Sequence, residues 1–145
     1  MADDELVYAD ALIAGVLRSV KTIALVGASA KANRPSFSVM AYLQGKGYRV
    51  IPVNPGVAGQ TLLGEIVRAR LSDIQEPVDM VDIFRRSDAV GPIVDEAIDI
   101  GAKVVWMQLG VRENTAAAKA EAAGLTVIMD RCPKIEFARL GGKLS

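Results

Sequence analysis

Five short runs, mostly apolar at consecutive positions, punctuate this chain at residues 23–26, 48–53, 80–84, 104–109 and 126–129. A strand with one wet face alternates apolar and polar residues, so strands that do not alternate must be covered on both faces. The intervening segments supply that cover. Pro35 opens, and Gly45 with Gly47 closes, a helix over about residues 36–46 that turns Phe37, Met40, Ala41 and Leu43 inward. Residues 87–100 form a second such helix on Val90, Ile93, Val94, Ala97 and Ile98, and residues 113–123 a third. Ahead of the first strand, Leu6, Ala9, Ile13, Val16, Leu17 and Val20 recur at helical spacing and predict a helix over residues 4–20. Asp3, Asp4 and Glu5 at its start and Arg18 near its end would complement its dipole. Asn54-Pro55-Gly56 is a turn, residues 59–69 a loop with room for a short strand, and residues 71–74 a helical turn. The strand at 126–129 completes the series.

Strands of this kind alternating with amphipathic helices imply a parallel sheet between two helical layers. Right-handed crossovers then give an α/β, Rossmann-like, doubly wound five-stranded sheet in the order 3-2-1-4-5, a three-layer α/β/α sandwich. Residues 1–145 read as a single domain, with the N-terminal helix at 4–20 and the core at 21–140. Such sheets bind ligands at the carboxyl ends of their strands, near the reversal of winding beside strand 1. The loops after Val26, Val53, Ile83 and Met107 are therefore where function is expected.

Charge is segregated within a balanced total. There are 17 basic and 17 acidic residues, yet no carboxylate lies between Asp10 and Glu65. That stretch carries Arg18, Lys21, Lys31, Arg34, Lys46 and Arg49, and includes the strand–turn–helix passage around Gly27. Free backbone N–H groups and a helix N-terminus make an anion site, and absent acids remove repulsion against a polyphosphate. A nucleotide-phosphate cradle follows for the first half of the chain. The zero net charge gives no general attraction for nucleic acid or acidic membranes.

Other classes fall away by composition. With no histidine, the chain has no Ser-His-Asp or Cys-His nucleophile, histidine-ligated metal or phosphohistidine. One cysteine precludes an internal disulfide and a cysteine-rich zinc site. No run reaches the roughly 18 apolar residues that span a bilayer, and the acidic start does not resemble a secretory signal. A cytoplasmic location is expected. NAD fits poorly: Gly27-Ala28-Ser29-Ala30-Lys31-Ala32 keeps only the first glycine of the dinucleotide fingerprint. Asn54 stands where an acid would hold the ribose diol.

Several blocks together carry a resemblance. Val26-Gly27-Ala28-Ser29, Arg34-Pro35-Ser36, Val50-Ile51-Pro52-Val53-Asn54-Pro55, Val81-Asp82-Ile83-Phe84-Arg85 and Trp106-Met107-Gln108-Leu109-Gly110 resemble the small bacterial CoA-binding proteins. These are similar to the CoA-binding N-terminal domain of the succinyl-CoA synthetase α subunit. The likeness runs from about residue 20 to 140 and includes Met129-Asp130-Arg131-Cys132-Pro133. It implies coenzyme A or an acyl-CoA as ligand. Gly27, Ala28, Ser29, Lys31, Arg34, Pro35 and Ser36 would then surround the pyrophosphate, and Val53, Asn54 and Pro55 would border the adenosine. Ile83, Phe84 and Arg85 would form the opposite wall, and Gln108, Leu109 and Gly110 would follow the pantetheine arm. The synthetase's catalytic histidine and further domains have no counterpart in this sequence, so the resemblance implies binding without evident catalysis.

Each of these residues also has a plainer reading. Gly27 serves many strand-to-helix turns that bind nothing, and Lys31 and Arg34 could be solvated surface charges. Of the adjacent pair Arg85 and Arg86, Arg85 is the one expected to face the crevice. Asp82, inside a strand expected to be buried, requires a partner or water, and Arg131 is the candidate. Cys132 is either a small packed residue or a thiol beside the thiol of CoA. The rival functions are a nicotinamide-dependent oxidoreductase, a minimal acyl-CoA transferase and a ligand-free interaction module. The first helix could cover the sheet or pack on a second copy, giving a homodimer.

Overall fold

A computed structural model describes residues 6–144. Its elements run α1 (Asp10–Ser19), β1 (Thr22–Val26), α2 (Pro35–Gly45), β2 (Arg49–Val53), β3 (Thr61–Leu62), β4 (Glu65–Ile66), β5 (Met80–Ile83), α3 (Val90–Asp99), β6 (Val104–Met107), α4 (Asn114–Ala122), β7 (Thr126–Ile128) and α5 (Pro133–Leu140). The non-alternating runs pair as the sequence requires: β2, β1, β5, β6 and β7 form one parallel sheet in that spatial order. The ambiguous stretch at 59–69 holds the antiparallel β3–β4 hairpin. It delivers Arg68 to the outer edge of β2, where a parallel bridge joins Val53 to Arg68. Numbered by the five runs of the sequence, the sheet reads 2-1-3-4-5: the winding reverses beside β1, with Met80–Ile83 on the other side of β1 from β2.

Both faces are covered. Ile23, Leu25, Met80 and Trp106 pack under α1, α2 and α5, while Ala24, Val81, Val105 and Met107 pack under α3 and α4. The expected α/β/α layering is thus present. Trp106 is fully buried, and its indole N–H donates to the Arg131 carbonyl at 2.9 Å. Burying an indole without that acceptor would be costly.

The first helix starts later than its apolar spacing predicts. Asp3, Asp4 and Glu5 lie outside the described residues, and residues 6–9 are not helical. The Leu6 carbonyl accepts from the Arg131 guanidinium at 2.6 Å, and the Tyr8 hydroxyl accepts from the Met129 amide at 2.9 Å. The Arg131 guanidinium also stands 5.2 Å from the Tyr8 ring centre. These long-range contacts replace what another helical turn would gain. Asp10 takes over as the acid of the first turn, paired with Arg139 at 2.9 Å.

Helix α5 is an addition to the sequence reading. Cys132 stands at its N-cap and Pro133 in its first turn. Phe137 packs edge-on against Tyr42 and Tyr48, with ring centres 6.0 and 6.1 Å apart. Leu140 is buried beneath α1. The helix completes the layer formed by α1 and α2.

Asp82 does not pair with Arg131. It shares a rung with Leu25 and Trp106, is fully buried, and neither carboxylate oxygen has a hydrogen-bond partner among the described residues. The Arg131 guanidinium is drawn instead to the carbonyls of Leu6 and Asp130. Desolvation raises the Asp82 pKa well above 3.8, so the folded protein keeps the proton over a range where the unfolded chain has lost it. The native state then binds more protons, and stability falls as pH rises from about 4 toward the raised value. Asp82→Asn, uncharged at every pH, should gain on the wild type in melting temperature between about pH 4 and pH 7. A gap that stays constant across that range would show that Asp82 does not titrate with folding.

Candidate functional site

The turn between β1 and α2 is shaped by one close approach. Gly27 has φ +91°, and a Cβ there would lie 2.3 Å from the Phe84 carbonyl oxygen beyond β5. Only glycine fits. The amides of Gly27 and Ala28 both donate to the Val53 carbonyl, at 2.9 and 3.3 Å. The Asn54 side chain ties the same two crossovers together: its Nδ2 donates to the Ala28 carbonyl, and its Oδ1 accepts from the Gly56 amide, each at 2.8 Å. Asn54 is therefore a strut that holds the β1 and β2 loops at a fixed spacing.

These bonds shift the open amides of the turn forward. The Gly27 and Ala28 amides are spent inside the fold. The amides of Ser29, Ala30 and Ser36 have no backbone partner among the described residues. Ser29 Oγ accepts from the Lys31 amide at 3.1 Å, which folds the turn toward Arg34 at the N-cap of α2. Pro35 and Ser36 follow in the first helical turn, where unpaired N–H groups and the dipole favour an anion. Here Gly27, Ala28, Ser29, Lys31, Arg34, Pro35, Ser36, Asn54 and Phe84 enclose an open cavity of about 370 Å³.

Two further cavities continue it. One of about 370 Å³ lies between Val53, Asn54 and Pro55 on one side and Phe84 and Arg85 on the other. The third, about 710 Å³, is a chamber lined by Pro35, Ser38, Val39, Phe84, Arg85, Arg86, Gln108, Leu109, Val111, Cys132, Lys134 and Ile135. Phe84 borders all three, so they form one groove along the carboxyl ends of β2, β1, β5 and β6. Its lining includes Lys31, Arg34, Arg85, Arg86 and Lys134, and no Asp or Glu among the described residues. Arg86 pairs with Asp88 at 3.2 Å, whereas Lys31, Arg34 and Arg85 have no ion pair among the described residues. Arg85 lies close over Gly27, its Cδ 3.1 Å from the position a Cβ would occupy.

The six cations of the acid-free stretch separate in space. Lys31 and Arg34 line the groove. Arg18, Lys21 and Lys46 line a cavity that includes the ends of α1 and α2, and Arg49 pairs with Glu65 and Glu76. Other expected residues divide similarly. Val53, Pro55, Phe84, Arg85, Gln108 and Leu109 reach the groove. Ile83 is fully buried against the α3–α4 layer and lines none of the three cavities. Gly110, at φ +81°, also lines none of them, and its amide donates to Asp130 Oδ1 at 2.7 Å.

The sequence reading placed no helix after β7, and so did not bring Lys134 and Ile135 to the groove. Pro133 at a helix start, Glu136 in the first turn and Arg139 in the last were the available signals. Ser38, Val39 and Val111 were missed because they border the chamber from helix and loop backs rather than from the expected turn.

A model of the CoA-binding domain matches residues 21–138. The chain belongs to the CoA-binding domain family. A relative in Bacillus subtilis (strain 168), the uncharacterized protein YneT, is 37% identical over 123 residues, 85% of this chain and 90% of that protein. A hypothetical protein from Pyrococcus horikoshii OT3 superposes with a TM-score of 0.90 at 38% identity, covering 98% of this chain and 100% of that one. The dinucleotide-forming acetyl-coenzyme A synthetase 1 of Ca. Korarchaeum cryptofilum shares the fold. Its TM-score is 0.68 at 23% identity, over 79% of this chain and 27% of the synthetase. Within the CoA-binding family frame, the groove is the concave surface at the strand ends where this architecture places ligands.

Gly27→Ala tests the close approach. The substituted chain must move the Phe84 carbonyl and hold a non-glycine residue at positive φ, at a cost of about 2 kcal/mol. The expected result is a lower denaturation midpoint with an unchanged m-value. Wild-type stability in this variant would mean that the two loops do not depend on their contact.

Proposed function

We propose that the groove binds coenzyme A or an acyl-CoA, with no chemistry of its own beyond binding. The polarity gradient along the groove carries this reading. One end offers unpaired amides and the free cations Lys31 and Arg34; the other is a larger, more apolar chamber walled by Val39, Phe84, Leu109, Val111 and Ile135, with Arg85, Arg86 and Lys134 also in its lining. A carrier with an anionic head and a long neutral arm matches that gradient.

In this reading the pyrophosphate lies against Ser29–Ser36 amides and hydroxyls, with Arg34 forked onto a phosphate. The adenosine end borders Val53, Asn54 and Pro55. The arm passes Phe84 and Arg85 and enters the chamber beside Gln108 and Leu109. NAD is disfavoured because no carboxylate among the described residues lines the groove to take a ribose diol, and Asn54 already spends its amide on Ala28 and Gly56.

Exposed charge contacts and helix termini contribute only about 0.3–1 kcal/mol each, so micromolar binding requires several together with apolar burial of the arm. Calorimetric titration with CoA, acetyl-CoA and NAD is the direct test. Saturable binding of CoA with none of NAD is expected, and the reverse would overturn the reading. Arg34→Ala should weaken CoA binding about twofold to fivefold at low salt and flatten its salt dependence. An unchanged dissociation constant would remove Arg34 from the phosphate contact.

A further inference from the structure

Among the described residues, five large apolar side chains are exposed, and two of them, Leu109 and Ile135, line the same chamber. Apolar residues scattered singly over a surface are ordinary, whereas two on one concave surface mark a place where something apolar binds. The other three, Val7, Leu12 and Ile66, line none of the groove's cavities.

The backbone holds both side chains in place. Residues 108–111 make a tight turn in which the Val111 amide donates to the Gln108 carbonyl at 2.8 Å. Leu109 takes its second position and Gly110 its third, at the positive φ of +81° that a type II turn requires there. Two bonds to Asp130 brace the turn: the Gly110 amide donates to Oδ1 at 2.7 Å, and the Asp130 amide donates to the Val111 carbonyl at 3.2 Å. Ile135 lies in the first turn of α5, which is anchored by buried Pro133, Glu136 and Leu140 and tied to Asp10 through Arg139 at 2.9 Å. A fixed turn and a fixed helix thus keep two aliphatic side chains 54% and 51% exposed. The cations of the chamber have other neighbours. Arg86 pairs with Asp88, Lys134 Nζ stands 5.7 Å from the Tyr42 ring centre, and Arg85 lies close over Gly27. What the chamber adds to the charged end of the groove is therefore hydrocarbon surface.

We propose that the chamber is an acyl-chain pocket, and that the groove's ligand is the CoA thioester of an unbranched aliphatic acid. This rests on the CoA reading above. The pantetheine arm carries two amides and ends in a sulfur, so the surface around Leu109 and Ile135 gains most from a hydrocarbon chain attached at that sulfur. Methylenes of the chain displace water from both side chains and from the Val39 and Val111 walls. At about 710 Å³ the chamber has nearly twice the volume of either of the other two cavities, each about 370 Å³. Because Leu109 and Ile135 are held by the backbone before any ligand arrives, little ordering opposes the chain's entry.

Calorimetric titration with CoA, acetyl-CoA, butyryl-CoA and octanoyl-CoA, below the concentrations at which thioesters form micelles, decides it. Each buried methylene is expected to tighten binding about twofold to fourfold, so octanoyl-CoA should bind at least about thirtyfold tighter than acetyl-CoA. Ile135→Ser should reduce the ratio of octanoyl-CoA to CoA affinity about fivefold. Ile66→Ser, exposed outside the groove, should leave that ratio unchanged. The same thioester with a terminal carboxylate on its chain should bind more weakly than octanoyl-CoA. Equal affinity for CoA and octanoyl-CoA, or tighter binding of the carboxylated chain, would overturn the acyl pocket and leave the CoA reading standing. A dimer that Ile135→Ser dissociates, without any gain from chain length, would do the same and assign the two side chains to a second copy. Failure of all four ligands to bind would overturn both.

Discussion

The contact between the Gly27 backbone and the Phe84 carbonyl is the constraint on which the site depends. It lies where the chain, having wound from β1 out to β2, begins to wind the other way through β5. The Phe84 amide donates to the Val26 carbonyl at 2.8 Å, so the two strand ends are tied just before their chains diverge. A side chain at position 27 would push them apart. With none there, the β1 loop swings over one side and the β5 loop over the other, and the space between them is the groove. Phe84 then borders every part of it.

A consequence of this geometry is a division of labour among polar groups. Those that build the turn are satisfied internally: the Gly27 and Ala28 amides by Val53, and the Asn54 amide by Ala28 and Gly56. Those one or two residues further on are left open, together with cations that no carboxylate among the described residues neutralises. Uncompensated charges clustered at a helix start repel one another and the dipole, a cost a purely structural turn has no reason to bear. At the opposite end of the same helix, Lys46 stands at the C-cap and over the rings of Tyr42 and Phe137, where a cation is favourable without any ligand. Similar residues in one acid-free stretch thus have different physical justifications.

The sheet was legible because its signal is local and redundant. Runs such as Ile23-Ala24-Leu25-Val26 have no polar face to turn outward, so two-sided burial follows from the residues alone. The turn between β1 and α2 was legible for a related reason, since Gly27 and Pro35 fix backbone geometry at known offsets. What escaped was set by long-range contacts. Helix α1 loses its expected first turns to bonds between Leu6, Tyr8 and the chain beyond β7, more than a hundred residues away in sequence. Those same bonds take Arg131 from Asp82. Helix α5 has few apolar positions, and its burial depends on Tyr42 and Tyr48, aromatic neighbours that only the fold assembles. The chamber inherits that difficulty, because α5 builds one of its walls.

Asp82 and Gln108 show how one structural problem acquires two outcomes. Asp82 shares a rung with Trp106, and Gln108 follows two residues beyond Trp106, so both arise at neighbouring positions along the carboxyl half of the sheet. Both have buried oxygen atoms that no group among the described residues satisfies. Asp82 is sealed between apolar strands and has an escape: it takes a proton and gives up its charge. A carboxamide has no such recourse at ordinary pH, because its oxygen remains a strong acceptor whatever the solution conditions. The Gln108 oxygen, itself sealed from solvent, is therefore left unsatisfied at a cost at every pH. Gln108 is otherwise among the residues lining the chamber of about 710 Å³, whereas Asp82 lines none of the groove's three cavities. The two positions differ in that a buried acid can shed its charge by taking a proton and a buried amide cannot shed its acceptor.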